Sequence, residues 1–283
     1  MSPTPRPQPS DEHVRPAHPW WRRWLRAYRV WRGGVPNKTH AVHFVQRGGQ
    51  ACKRVRFASQ AEAQAVVQAL RELSIGSCAT GSCVPALIDH SEDTVWVAFV
   101  PEDDCAQTRH IDFDQAVLGF FERLYATTPR QTQDPAPTLD ALEKDLRRLV
   151  EAKQLRLEES AALQSLAEQL RPERLYCGID YVDAIRGNFV LSQGQAIGID
   201  IEALVLDKAL GTGLAKAQLR WLNAPLSGLL STSGLAQQYP FVRLCFIARY
   251  CREKLDQRKP GHLRIQALRD LLAGADEVGN NQD

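Results

Sequence analysis

"YVDAIRGNFVLSQGQAIGIDIE", Tyr181 to Glu202, is the stretch on which the reading of this chain turns. Phe189-Val190-Leu191 and Ala196-Ile197-Gly198-Ile199 are short apolar runs, and Ser192-Gln193-Gly194-Gln195 between them has turn composition. The pattern predicts a hairpin. Asp183 and Asn188 then lie in the loop leading into it, five residues apart, and Asp200 lies where the second strand ends, twelve residues after Asn188. A hairpin returns the chain to its starting end, so Asp183, Asn188 and Asp200 are expected at one place.

The rest of the chain sets the frame for that cluster. It has 283 residues, enough for one large domain or two lobes with their own cores. Hydrophobic content of 44% and charged content of 24% are those of a globular protein. A net charge of +2 is too small for whole-molecule attraction to nucleic acid, and no nucleic-acid-reading module is seen. No apolar run reaches the roughly 18 residues of a membrane span. Arginines interrupt every apolar run near the N-terminus, which argues against a signal peptide. The seven cysteines are scattered; Cys78 and Cys83 lack the second pair a zinc site needs, so they read as reduced thiols of a cytoplasmic protein. A single Met among Ala-, Leu- and Arg-rich helices suggests a GC-rich bacterial genome.

Working outward, residues 1–19 hold six prolines and read as a disordered tail. Residues 20–32, "WWRRWLRAYRVWR", place Trp21, Leu25 and Tyr28 on one helical stripe and Arg22, Arg26 and Arg29 on the other side. Such a segment either docks on its own domain or lies peripherally on an anionic inner-membrane surface. "THAVHFVQRGGQACKRVRF" predicts a hairpin about Gly48-Gly49. The helix that follows opens at Ser59 with Glu62 three residues on, a capping-box spacing. "VPALIDH" and "TVWVAFV" read as strands, and helices are expected at 112–127, 138–152, 157–170, from about Lys208, and at 241–257. The fold class is therefore α+β: a β-rich first third with one helix, then a helical two-thirds with one inserted hairpin.

Phosphoryl transfer from a nucleotide needs a cation on the phosphates, oxygen ligands for Mg²⁺, and a carboxylate to orient the attacking hydroxyl. The opening stretch supplies the last two. Its pattern, D-x4-N, hairpin, D-x-E, resembles the catalytic hairpin of the aminoglycoside phosphotransferase and choline kinase group of the protein-kinase-like fold. "GGVPNKTHAVHFV" from Gly33 resembles that group's phosphate-covering strand-turn-strand, "QACKRV" its lysine-bearing third strand, and "LGFFERLYATTP" the helix before its catalytic region.

The resemblance implies two lobes, a small antiparallel-sheet N-lobe at 33–104 and a larger helical C-lobe at 105–283 with the catalytic hairpin at 181–202. The connector is Ala98 to Asp104. It implies ATP and Mg²⁺, with Asp183 as the catalytic carboxylate, Asn188 and Asp200 as metal ligands, and Gly33, Gly34, Asn37, Lys53 and Glu62 around the nucleotide. The acceptor would be a hydroxyl of a small molecule or glycan.

Strand alternation puts Lys53 on one face with the apolar Val55 and Phe57, and Arg54 on the other with Cys52 and Arg56, which favours Lys53 over Arg54 as the inward cation. Glu62 shares a helical stripe with Val66, Ala69 and Leu73, which would turn it inward as the partner of Lys53. The group's usual His two residues before the catalytic Asp is Tyr181 here, and a His common on the preceding helix is Tyr125. Asp180 is the rival to Asp183, but stands eight residues from Asn188. Three functions stay open: a small-molecule or sugar kinase, a kinase of a lipopolysaccharide-core or lipid-linked sugar at the inner membrane, and an inactive nucleotide-binding pseudokinase. Asp207, Lys208, Arg220, Trp221 and Arg249 are unranked candidates for the acceptor side.

Overall fold

A computed structural model describes residues 41–76, 81–103, 108 and 110–279. The tail 1–19, the basic segment 20–32, and Gly33, Gly34 and Asn37 lie outside the described residues. The chain forms two compact units. Among the described residues, one comprises 41–71 together with Pro85–Pro101; the other comprises 72–76, 81–84 and those from Glu102 on.

The smaller unit is a four-stranded antiparallel sheet. Strands β1 (Ala41–Arg47) and β2 (Gln50–Arg56) form the expected hairpin, followed by helix α1 (Gln60–Gly76), β3 (Leu87–Ser91) and β4 (Thr94–Ala98), with strand order β1-β2-β4-β3. Gly48 and Gly49 form the turn with φ of 59° and 80°, a conformation that favours glycine at both positions. Lys53 lies in β2, opposite Phe44 and Val97, and is buried at 8% exposure; Arg54 beside it is half-buried.

Glu62 departs from expectation. Helix α1 buries Ala63, Val66, Val67 and Leu70, and Glu62 is exposed. Val66, Ala69 and Leu73 of the stripe drawn through Glu62 are all buried, together with Val67 and Leu70, but the buried face begins at Ala63 and Glu62 falls outside it in the first turn. The Glu62 amide donates to Ser59 Oγ at 3.3 Å, so the capping-box spacing does mark the helix start. The half-buried carboxylate of this helix is Glu72.

The larger unit is mostly helical. Helices α2 (Phe113–Thr127), α3 (Ala136–Glu151), α4 (Leu157–Leu170), α5 (Thr212–Arg220), α6 (Ser227–Thr232), α7 (Tyr239–Asp256) and α8 (Ile265–Gly279) surround two small sheets. Leu142, Leu146 and Leu149 of α3, Leu163 of α4, Phe241, Leu244 and Ile247 of α7 and Leu268 of α8 form one core cluster. The hairpin is present as β7 (Phe189–Ser192) and β8 (Gln195–Gly198).

A second sheet was not expected. Strand β6 (Leu175–Tyr181) runs between β5 (Gln131–Gln133) and β9 (Leu204–Ala209), all antiparallel. Lys208, expected to start a helix, is in β9; the helix begins at Thr212. Apart from Tyr176, every residue of β6 is buried, so the strand lacks the alternation that marks a one-sided strand. Its role is to aim the loop that starts at Val182.

Candidate active site

Strand β6 delivers Asp180 and Tyr181 into the interior and ends. The Val182 amide then bonds the Ala203 carbonyl at 2.8 Å, which ties the loop start to the segment following Asp200. A short 3₁₀ turn, Arg186–Asn188, closes the loop onto β7. Within it the Asn188 side-chain NH₂ donates to the Asp183 carbonyl at 2.8 Å and to the Asp183 carboxylate at 3.4 Å. The five-residue spacing is therefore the span of a folded-back loop whose two ends share a hydrogen bond.

Tyr181 fixes the other half of the cluster. Its hydroxyl donates to the Asn188 carbonyl at 3.0 Å and accepts the Asp200 amide at 3.0 Å. The Ile199 amide also donates to the Asn188 carbonyl at 2.9 Å. The tyrosine ring is fully buried, edge-on to Phe120 at 5.2 Å and tilted on Phe189 at 5.3 Å. A buried phenol thus joins the backbone of the loop to that of the hairpin's far end. Burial, with the Asp200 charge close by, pushes the phenol well above the ordinary tyrosine range, so it stays a neutral donor.

The two rival aspartates have different surroundings. Asp180 is fully buried: its carboxylate accepts from the Tyr181 amide at 2.7 Å, the Gly213 amide at 3.2 Å and the Tyr125 hydroxyl at 3.4 Å. Burial raises its pKa to about 6 despite these hydrogen bonds. Asp183 is 37% exposed, and its carboxylate pairs with the ammonium of Lys216. Asp180 braces the start of helix α5, and Asp183 is the one that solvent or a substrate can reach.

Lys216 carried no signal in the sequence, being thirty-three residues from Asp183. Helix α5 brings it there through Gly213, where an added Cβ would sit 2.1 Å from the Tyr181 carbonyl oxygen. Only a residue without a side chain lets the helix seat so closely on β6. Trp221 follows the same helix and donates its indole N–H to the Ala184 carbonyl at 3.0 Å, so it supports the loop from behind. Arg186, exposed in the loop, stacks its guanidinium over Phe113 at 4.6 Å. Of the remaining acceptor-side candidates, Arg220 bonds the Tyr250 hydroxyl at 2.8 Å.

Asn188 and Asp200 suit a hard cation. Both are buried, at 4% and 7% exposure. The Asn188 nitrogen is committed to Asp183, which leaves its carbonyl oxygen as the available ligand atom. Two oxygen donors fit Mg²⁺, which keeps several waters and takes its other ligands from phosphates. No cluster of three or more His, Cys, Asp or Glu able to hold a metal alone occurs among the described residues.

No protein-family model and no curated protein matches the sequence. Solved structures do match. A thermostable mutant of aminoglycoside phosphotransferase APH(4)-Ia, in ternary complex with ADP and hygromycin B, aligns with a TM-score of 0.53 and 11% identity, over 84% of this chain and 91% of that one. The chain has the protein-kinase-like phosphotransferase fold. A Thermobifida fusca protein provisionally assigned as a fructosamine-3-kinase gives 0.52 and 17% identity over 85% and 91% of the two chains. Macrolide 2′-phosphotransferase MphH from Brachybacterium faecium gives 0.50 and 14% over 84% and 89%. At these identities the likeness is one of fold, and it bears out the two-lobed α+β kinase-like class and the resemblance read from the hairpin. No helix among the described residues is long and apolar enough to cross a membrane.

Proposed function

We propose that this chain is an ATP-dependent phosphotransferase that moves the γ-phosphate to a hydroxyl of a small molecule or sugar. The observation that carries this reading is the loop in which Asn188 bonds Asp183 while Tyr181 ties Asn188 to Asp200, in a phosphotransferase fold. Asp183 accepts a hydrogen bond from the acceptor hydroxyl and orients it. The hydroxyl oxygen bonds to the γ-phosphorus, the bond from that phosphorus to the β–γ bridging oxygen breaks, and ADP leaves. The hydroxyl proton passes to Asp183 and then to solvent. Lys216, paired with Asp183, holds the carboxylate in place and adds positive charge beside the transferring group. Asn188 and Asp200 would hold Mg²⁺, which would supply charge neutralisation of the phosphates. On the same reading Lys53 serves the nucleotide phosphates.

The known acceptors of the similar structures guide the test. ADP release with Mg²⁺ is measured against a panel of aminoglycosides, macrolides and fructosamines, with Asp183→Asn as control. Turnover with one acceptor that the variant loses supports the proposal. Absence of turnover with any acceptor, and of Mg²⁺-dependent ATP binding, would leave a pseudokinase.

A further inference from the structure

The larger unit holds a cavity of about 270 Å³ away from the Asp183 loop. Its walls come from α3, β6, β9 and α7, and include Leu142, Val242, Phe246, Lys208 and Arg249. Its lining includes Cys177, four residues before β6 ends at Tyr181, which is roughly 13 Å of strand from the start of the Asp183 loop.

Lys208 is the unusual member. It is half-buried, and its ammonium has no hydrogen bond or ion pair among the described residues. The charges around it are otherwise engaged: Asp145 by Arg252 at 2.8 Å, Arg249 by Glu253 at 3.1 Å, and Asp207 by Gln131. Burial, and next the neighbouring Arg249 charge, draw the Lys208 ammonium below the ordinary lysine range. The backbone is built to place it there. The β6–β9 register shifts between Gly178 and Asp180, and Asp207, just before Lys208, takes a left-handed φ of 53°. Bulges of this kind re-aim a side chain, and a non-glycine residue at such φ is uncommon. Gly178, paired with Lys208, has no room for a side chain: a Cβ would lie 2.5 Å from the Pro129 carbonyl oxygen.

A desolvated cation over an apolar floor matches one ligand chemistry. We infer that this cavity binds a small organic carboxylate, its headgroup on Lys208 and its apolar part on Leu142, Val242 and Phe246. One uncommitted ammonium matches a monoanion; a dianionic phosphate would bring a second negative charge into a lining that also holds Asp145 and Asp207. The volume is below the roughly 300–1,000 Å³ of drug-sized sites, so the ligand is small. The inference stands independently of the phosphotransfer reading.

The test is calorimetric titration of the full chain with 4-phenylbutyrate, 4-phenylbutyl phosphate and 4-phenylbutanol, which share a tail and differ in head. The carboxylate is expected to bind, with the alcohol weaker by about tenfold or more. Lys208→Met should remove that difference. If Lys208→Met does not fold, Ala141→Phe at the exposed wall of the cavity should abolish binding by filling it. Equal affinity for acid and alcohol, tighter binding of the phosphate, no binding of the acid, or binding indifferent to both variants would each overturn the assignment.

Discussion

The Asp200 amide donates to the Tyr181 hydroxyl at 3.0 Å across nineteen residues of sequence, and so the hairpin's far end is held to the strand that feeds the Asp183 loop. Removing that hydroxyl isolates its contribution. Tyr181→Phe keeps the ring packing but removes two buried hydrogen bonds, one from the Asp200 N–H and one to the Asn188 carbonyl, which still has Ile199. A loss of about 1–3 kcal/mol is expected from removing two buried hydrogen bonds. Urea denaturation measures it, and a variant as stable as the parent would show that the bridge contributes nothing.

Asp183 and Lys216 should separate from the nucleotide in kinetics. Asp183→Asn is expected to lower kcat on the order of 10²-fold or more, as loss of a general base does, with ATP affinity nearly intact. Lys216→Gln should lower kcat in the same direction. A Lys216→Gln enzyme with unchanged kcat would make the ion pair incidental to catalysis.

Asp180 should report on pH through stability and not through chemistry. Its folded pKa of about 6 lies above the unfolded 3.8, so the folded state binds the proton more tightly. That contribution is fully present below pH 3.8 and is lost as pH rises through about 6. Other carboxylates slope the opposite way, Glu159 being lowered to about 2 by Arg269 and the Arg156 amide. The comparison is therefore between parent and Asp180→Asn, whose stability difference should change across that window and level off above it. Identical pH profiles for the two would contradict the buried-carboxyl account.

Gly213→Ala tests how α5 is seated. The new methyl meets the Tyr181 carbonyl, which is backbone and cannot swing away, so the helix must move. A cost of about 1–3 kcal/mol is expected from overpacking, with a fall in kcat as Lys216 leaves Asp183. Gly228→Ala on α6, with open space around it, is the control and should be neutral or slightly stabilising. Equal melting temperatures for the two variants would argue against the close approach.

Mg²⁺ dependence checks the remaining pair. Asp200→Ala is expected to abolish transfer and the metal-dependent part of ATP affinity, read by titration with and without Mg²⁺. Nucleotide binding indifferent to the metal in the parent would remove Asn188 and Asp200 from that role.

Local pattern was enough to read the hairpins, the turn at Gly48-Gly49, the helices from Phe113 to Leu170, and the Asp183, Asn188 and Asp200 spacing, because each signal lies within one element or loop. Three features needed the tertiary structure. Strand β6 is buried on both faces, so its sequence shows no alternation. Glu62 was drawn inward by a stripe whose apolar members Val66, Ala69 and Leu73 are indeed buried, but the packed face begins only at Ala63. Lys216 reaches Asp183 from a separate helix because Gly213 admits that helix against β6. The choice between Asp180 and Asp183 shows the division. Sequence spacing favours Asp183; what only the fold adds is that Asp180 spends its carboxylate on buried donors, whereas Asp183 keeps a face toward solvent.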